Sequence, residues 1–63
     1  MNKANRFHYA NEWFTTPIRA NGYWVEDATS KNICEAASQE LAKALAVTLN
    51  YNAKAQKALE GLK

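Results

Sequence analysis

The sequence has few of the groups that normally staple a chain of its size. It carries one cysteine, Cys34, and one histidine, His8. A lone thiol closes no internal disulfide, and one thiol with one imidazole leaves too few soft ligands for a tetrahedral zinc site. Glycine is scarce too. Gly22 and Gly61 stand far apart and neither opens a helix behind a glycine-rich run, which excludes a phosphate-cradling loop. No run of about 18 apolar residues offers a membrane span. The stretch MNKANRFHYANEW lacks the apolar centre of a secretory signal. These absences lead us to expect a cytoplasmic protein with no metal, no cofactor and no membrane contact, and a free thiol at Cys34 agrees with a reducing compartment.

What is present is one small domain of 63 residues, 48% of them apolar. A chain this short buries only about 60% of the surface its unfolded form exposes, so burial barely exceeds ordering entropy. With disulfide and metal excluded, self-association is the remaining source of stability, and a homodimer is expected. The net charge is +2 but unevenly spread. Lysine and arginine prevail in residues 1–22 and 41–63, while Glu26, Asp27, Glu35 and Glu40 outnumber Lys31 in residues 23–40. That acidic middle could attract a basic partner or the basic tail of a second copy.

Hydropathy patterning divides the chain into an arm (residues 1–11), a sheet region (12–36) and a helical part (38–63). The arm is polar, with Phe7 and Tyr9 as its only large apolar anchors, and is expected to order only by docking on something else. Trp13 to Ile18 has the β-branched and aromatic composition of a strand, limited by Pro17 to an edge or a strand end. Asn21-Gly22 signals a turn. Tyr23 to Asp27 and Ile33 to Ala36 read as two strands of a hairpin around the polar residues Ala28 to Asn32, with Val25 and Ile33 on its core side.

Ser38 is a candidate N-cap, with Gln39 and Glu40 in the first turn where negative charge meets the positive end of the helix dipole. Leu41, Leu45 and Leu49 then repeat at helical spacing and are expected to pack on the sheet. At Asn50-Tyr51-Asn52 the helix either stops, with a second helix from Ala53 to Leu62, or runs through. Gly61 marks fraying at its end. The expected fold class is therefore α+β, a small antiparallel sheet of two or three strands followed by a carboxyl-terminal helix.

Catalysis finds little support. Glu26 and Asp27 are strand neighbours that point to opposite faces and cannot share a substrate. Cys34 with His8 could in principle form a nucleophile and base, but a cysteine on a strand facing a helix is ordinarily core. The chain is therefore read as no enzyme. Arg6, His8, Tyr9, Trp13, Phe14, Arg19, Tyr23 and Trp24 interleave cations with aromatic rings, as in surfaces that stack unpaired bases. The same rings could equally build the core or a subunit contact. Lys54 and Lys57 fall near one helix face.

The run Tyr23-Trp24-Val25-Glu26-Asp27-Ala28, a polar turn, Ile33-Cys34-Glu35-Ala36, then Ser38-Gln39-Glu40-Leu41-Ala42-Lys43-Ala44-Leu45-Ala46 and Leu49-Asn50, resembles the hairpin-plus-helix pattern of very small bacteriophage and prophage accessory proteins. The resemblance implies a non-enzymatic oligomer that binds and blocks a host protein, including components of defence systems, or that sequesters a nucleotide. A host protein is thus the expected partner, and single-stranded nucleic acid or a nucleotide is the alternative. Arg6, Tyr9, Trp13, Arg19 and Trp24 are the expected partner-binding residues, because tryptophan, tyrosine and arginine dominate interface hot spots. Trp13 could instead be the keystone of the sheet.

Overall fold

Phe7 and Phe14 fall opposite each other across a hairpin, and their burial begins the fold. The computed structural model describes residues 6–61. Strand β1 (Arg6–Tyr9) pairs antiparallel with β2 (Glu12–Thr15), joined by Ala10 and Asn11. Both linking residues have positive φ, 52° and 64°, the requirement of a tight I′ hairpin turn whose twist matches the strands. The expectation of an extended arm is corrected here: residues 6–9 are a strand held by their own chain. The rest of the proposed arm, residues 1–5, lies outside the described residues.

The second sheet has the order β3-β4-β5, all antiparallel, from β3 (Arg19–Asn21), β4 (Trp24–Glu26) and β5 (Asn32–Glu35). Gly22, at φ 64°, takes the first position of the two-residue β3-β4 turn, where a side chain would be strained. The hairpin expected between Tyr23 and Ala36 is present as β4 and β5. It contains a bulge: Cys34 opposes Val25 and Asn32 opposes Glu26, so Ile33 is the extra residue. Both Ile33 and Cys34 consequently pack, partly buried, against the core. The strand expected to reach Ile18 ends at Thr15, and Ile18 is buried beyond it. Among the described residues five strands in two sheets thus stand where two or three in one were expected, within the same α+β class.

The two sheets are tied by Asp27, which is 1% exposed. Its carboxylate accepts hydrogen bonds from the Thr15 N–H (2.9 Å) on β2, the Thr29 N–H (2.8 Å) and hydroxyl (2.7 Å), and the Lys31 N–H (3.0 Å). Ala28 N–H donates in turn to the Thr15 carbonyl at 2.9 Å. Burial by itself would raise the Asp27 pKa, but these hydrogen bonds together hold it below the usual aspartate value.

Helix α1 (Gln39–Gly61) is continuous through Asn50-Tyr51-Asn52, which resolves the two alternatives in favour of one helix of 23 residues. Ser38 caps it as expected, its hydroxyl accepting the Leu41 N–H at 3.0 Å. The expected leucine seam is corrected. Leu49 is buried and Leu45 partly so, but Leu41 is 44% exposed, and the contact line is Ala42, Ala46, Leu49 and Ala53. Steps of four drift by about 40° per turn, so a run of leucines four apart leaves the core face. Alanines at the contact also let the helix lie close on β1, β3 and β4. Asn50 survives in mid-helix because its amide accepts the Ile18 N–H and donates to the Ile18 carbonyl, both at 2.7 Å.

Candidate interaction surface

Alternation along β1 and β2 sorts their side chains into two faces. Phe7 and Phe14 turn inward, and Tyr9 stacks along Phe7 with ring centroids 5.8 Å apart. The outer face carries Arg6, His8, Trp13 and Thr15. There the His8 ring lies 4.7 Å from the Trp13 ring, and the Arg6 guanidinium carbon lies 4.7 Å from the same ring. Trp13 is thus flanked by a guanidinium and an imidazole while remaining 47% exposed.

The backbone beneath this cluster is fixed from the helix side. Gln56 accepts the His8 N–H at 2.9 Å and donates to the His8 carbonyl at 3.0 Å. His8 and Trp13 are therefore a pair that exchanges no backbone hydrogen bonds, the kind in which cross-strand side chains come closest. Lys31 secures the other strand, meeting Glu12 at 3.0 Å, donating to the Trp13 carbonyl at 3.4 Å and lying over the Phe14 ring. A ring so supported loses little conformational freedom when something binds it.

Arg6 and Trp13 are the two expected binding residues that the fold brings together. Tyr9 is exposed but belongs to the opposite face of β1. Arg19 and Trp24 share the outer face of the three-stranded sheet, where the Arg19 Nε meets Glu26 at 3.0 Å and a terminal nitrogen donates to the Ser30 hydroxyl at 2.9 Å. Arg19 is accordingly occupied within the fold, whereas Trp24 is partly exposed. Glu26 at the end of β4 and Asp27 just beyond it, both buried, serve different partners. His8 lies tilted against Trp13 in one sheet and Cys34 sits in the other, so the structure does not assemble a nucleophile and base from them. Among the described residues no three His, Cys, Asp or Glu side chains gather as metal ligands, and no helix is long and apolar enough to cross a membrane.

Sequence reasoning named His8 in the cation and aromatic set but not among the partner-binding residues, and it did not single out Gln56. The alternation Arg-Phe-His-Tyr was the available signal, obscured by a turn that contains no glycine. Comparison with protein-family models, curated proteins and solved structures finds no match to this chain.

Proposed function

We propose that this chain is a small, non-enzymatic accessory protein of the phage type that acts by binding a host protein, with the Arg6, His8 and Trp13 face of the β1-β2 hairpin as its principal contact. The observation that carries the reading is the sorting of the aromatic residues. Both phenylalanines are buried, whereas all three tyrosines and both tryptophans are 42–68% exposed. Tryptophan, tyrosine and arginine supply most of the energy at protein interfaces, because each brings large contact area with few rotatable bonds. Tyr9 and Trp24 extend the candidate surface beyond the hairpin face.

The identity of the partner as a host protein, and inhibition of a defence system as the outcome, rest on the resemblance to phage accessory proteins. Self-association belongs to the same proposal. Val47 and Tyr51, one turn apart on α1, are about two-thirds exposed and support a second copy as a further contact. The experiment is capture from a bacterial lysate by the tagged chain and by Trp13→Ala, at about 50 and 200 mM salt. Retention of one protein by the parent at both salts and its loss with the variant supports the proposal. Capture that vanishes at the higher salt, or that returns nucleic acid, contradicts it in favour of a single-stranded nucleic-acid binder.

A further inference from the structure

Beside the hairpin, the first strand and the helix enclose a cavity of about 300 Å³ lined by Arg6, Thr16, Pro17, Asn50, Ala53, Lys54 and Lys57. Three of these side chains are cations. They come from two elements distant in sequence, and no acid occurs among the lining residues described. Like charges on a small domain normally spread apart, because each such approach costs Coulomb energy. Here three cations share one lining, while Glu26, Glu12 and Asp27 are engaged elsewhere, with Arg19, Lys31 and the Asp27 loop respectively.

The walls are held in place. Asn50 is fixed by its two bonds to Ile18, Ala53 is buried in the core, and Gln56 binds β1 to α1 so that Arg6 and the lysines stay on one opening. Arg6 is further oriented by its position over Trp13. A guanidinium presents a fork of donors matched to phosphate oxygens, and two ammonium groups one helical turn apart supply mobile charge beside it.

We infer that this cavity is a binding site for a phosphate ester of roughly mononucleotide size. Its volume lies at the small end of the range for organic ligands, about 300–1,000 Å³, and exceeds what a bare inorganic anion fills. Three cations suit a dianionic phosphate. Because the cavity is open and its lysines are exposed, affinity depends on salt.

The test is titration of the full chain with adenosine monophosphate, inorganic phosphate, adenosine and a short single-stranded oligonucleotide, following tryptophan fluorescence and calorimetry in low salt. Saturable binding of the monophosphate, weaker binding of inorganic phosphate and none of adenosine is expected. The double variant Lys54→Gln/Lys57→Gln should weaken monophosphate binding at least tenfold with an unchanged melting temperature. It leaves the hairpin face intact, so protein capture should persist; the cavity and the protein contact therefore fail or stand separately. No saturable binding of the monophosphate, equal affinity for inorganic phosphate, or indifference to the double variant would overturn the assignment. So would tight binding of the oligonucleotide alone, which would indicate a nucleic-acid surface.

Discussion

Replacing Asp27 tests whether one buried carboxylate holds the two sheets together. In Asp27→Ala three backbone N–H groups, of Thr15, Thr29 and Lys31, lose their acceptor. An unpaired buried donor costs about 1–3 kcal/mol. Thr29 and Lys31 lie on an exposed loop where water can replace part of the loss, whereas Thr15 is partly buried between sheets. The sum is about 2–4 kcal/mol, against a total stability of roughly 3–9 kcal/mol for a chain of this length. At roughly 4–8 °C per kcal/mol, the midpoint should fall by about 8–32 °C. Asp27→Asn should cost less. Its remaining oxygen serves the loop donors best, which turns the amide NH₂ toward the Thr15 N–H and removes only the link between sheets.

The same carboxylate predicts a dependence on pH. Its folded pKa lies below the ordinary aspartate value of 3.8, so its stabilisation is complete above that value and is lost as pH falls through the folded pKa. Thermal melts by circular dichroism at pH 7 and pH 3 measure both effects. The gap between the parent and Asp27→Asn should be largest at pH 7 and narrow toward pH 3. A midpoint for Asp27→Ala within about 3 °C of the parent at pH 7 would refute the reasoning, since it corresponds to less than about 1 kcal/mol.

Other consequences are equally direct. Ala10 has φ 52°, a left-handed conformation that costs an L-residue about 1–2 kcal/mol, so Ala10→Gly should raise stability by about 0.5–1 kcal/mol after its own entropy cost, read as a higher urea midpoint. Asn50→Ala improves helix propensity by a few tenths of a kcal/mol but strands both backbone groups of buried Ile18, so it should destabilise by about 2 kcal/mol; a more stable variant would disprove the amide clamp. Leu49→Ala should cost about 2–4 kcal/mol and Leu41→Ala well under half of that in the same unfolding titration, because only the former is buried. Light scattering at micromolar concentration should give twice the 7.1 kDa chain mass for the proposed homodimer, and a monodisperse single-chain species would contradict it.

Much of the local chemistry was legible from the residues. Ser38 as a cap, a turn at Gly22, one residue later than the expected Asn21-Gly22, and the β4-β5 hairpin follow from side chains that act on their own backbone or within a few residues of it. The features that were not legible depend on contacts across the chain. Strand β1 is polar enough to read as an arm, and it becomes a strand because Phe7 meets Phe14 and Gln56 satisfies its free edge from 48 residues away. The helix crosses Asn50 because Ile18 supplies hydrogen bonds that propensity alone cannot anticipate. Composition likewise could not assign the aromatic residues to the core or the surface, whereas burial separates the phenylalanines from the tyrosines and tryptophans. Arg6 and Trp13 were marked individually as contact residues, but their meeting over one ring needed the register of the hairpin.

The proposed contact surface is tested most directly by Trp13→Ala, with partner binding and thermal stability measured on the same sample. Trp13 is half exposed, and its local support consists of the contacts with Arg6 and His8, so its loss should cost about 1 kcal/mol and lower the midpoint by no more than about 8 °C. Binding should fall by about tenfold to a hundredfold or more, the scale of a hot-spot residue. Unchanged affinity would contradict the account. So would loss of binding through unfolding, with a stability cost of about 3–5 kcal/mol, because Trp13 would then be a keystone of the sheet rather than a contact residue.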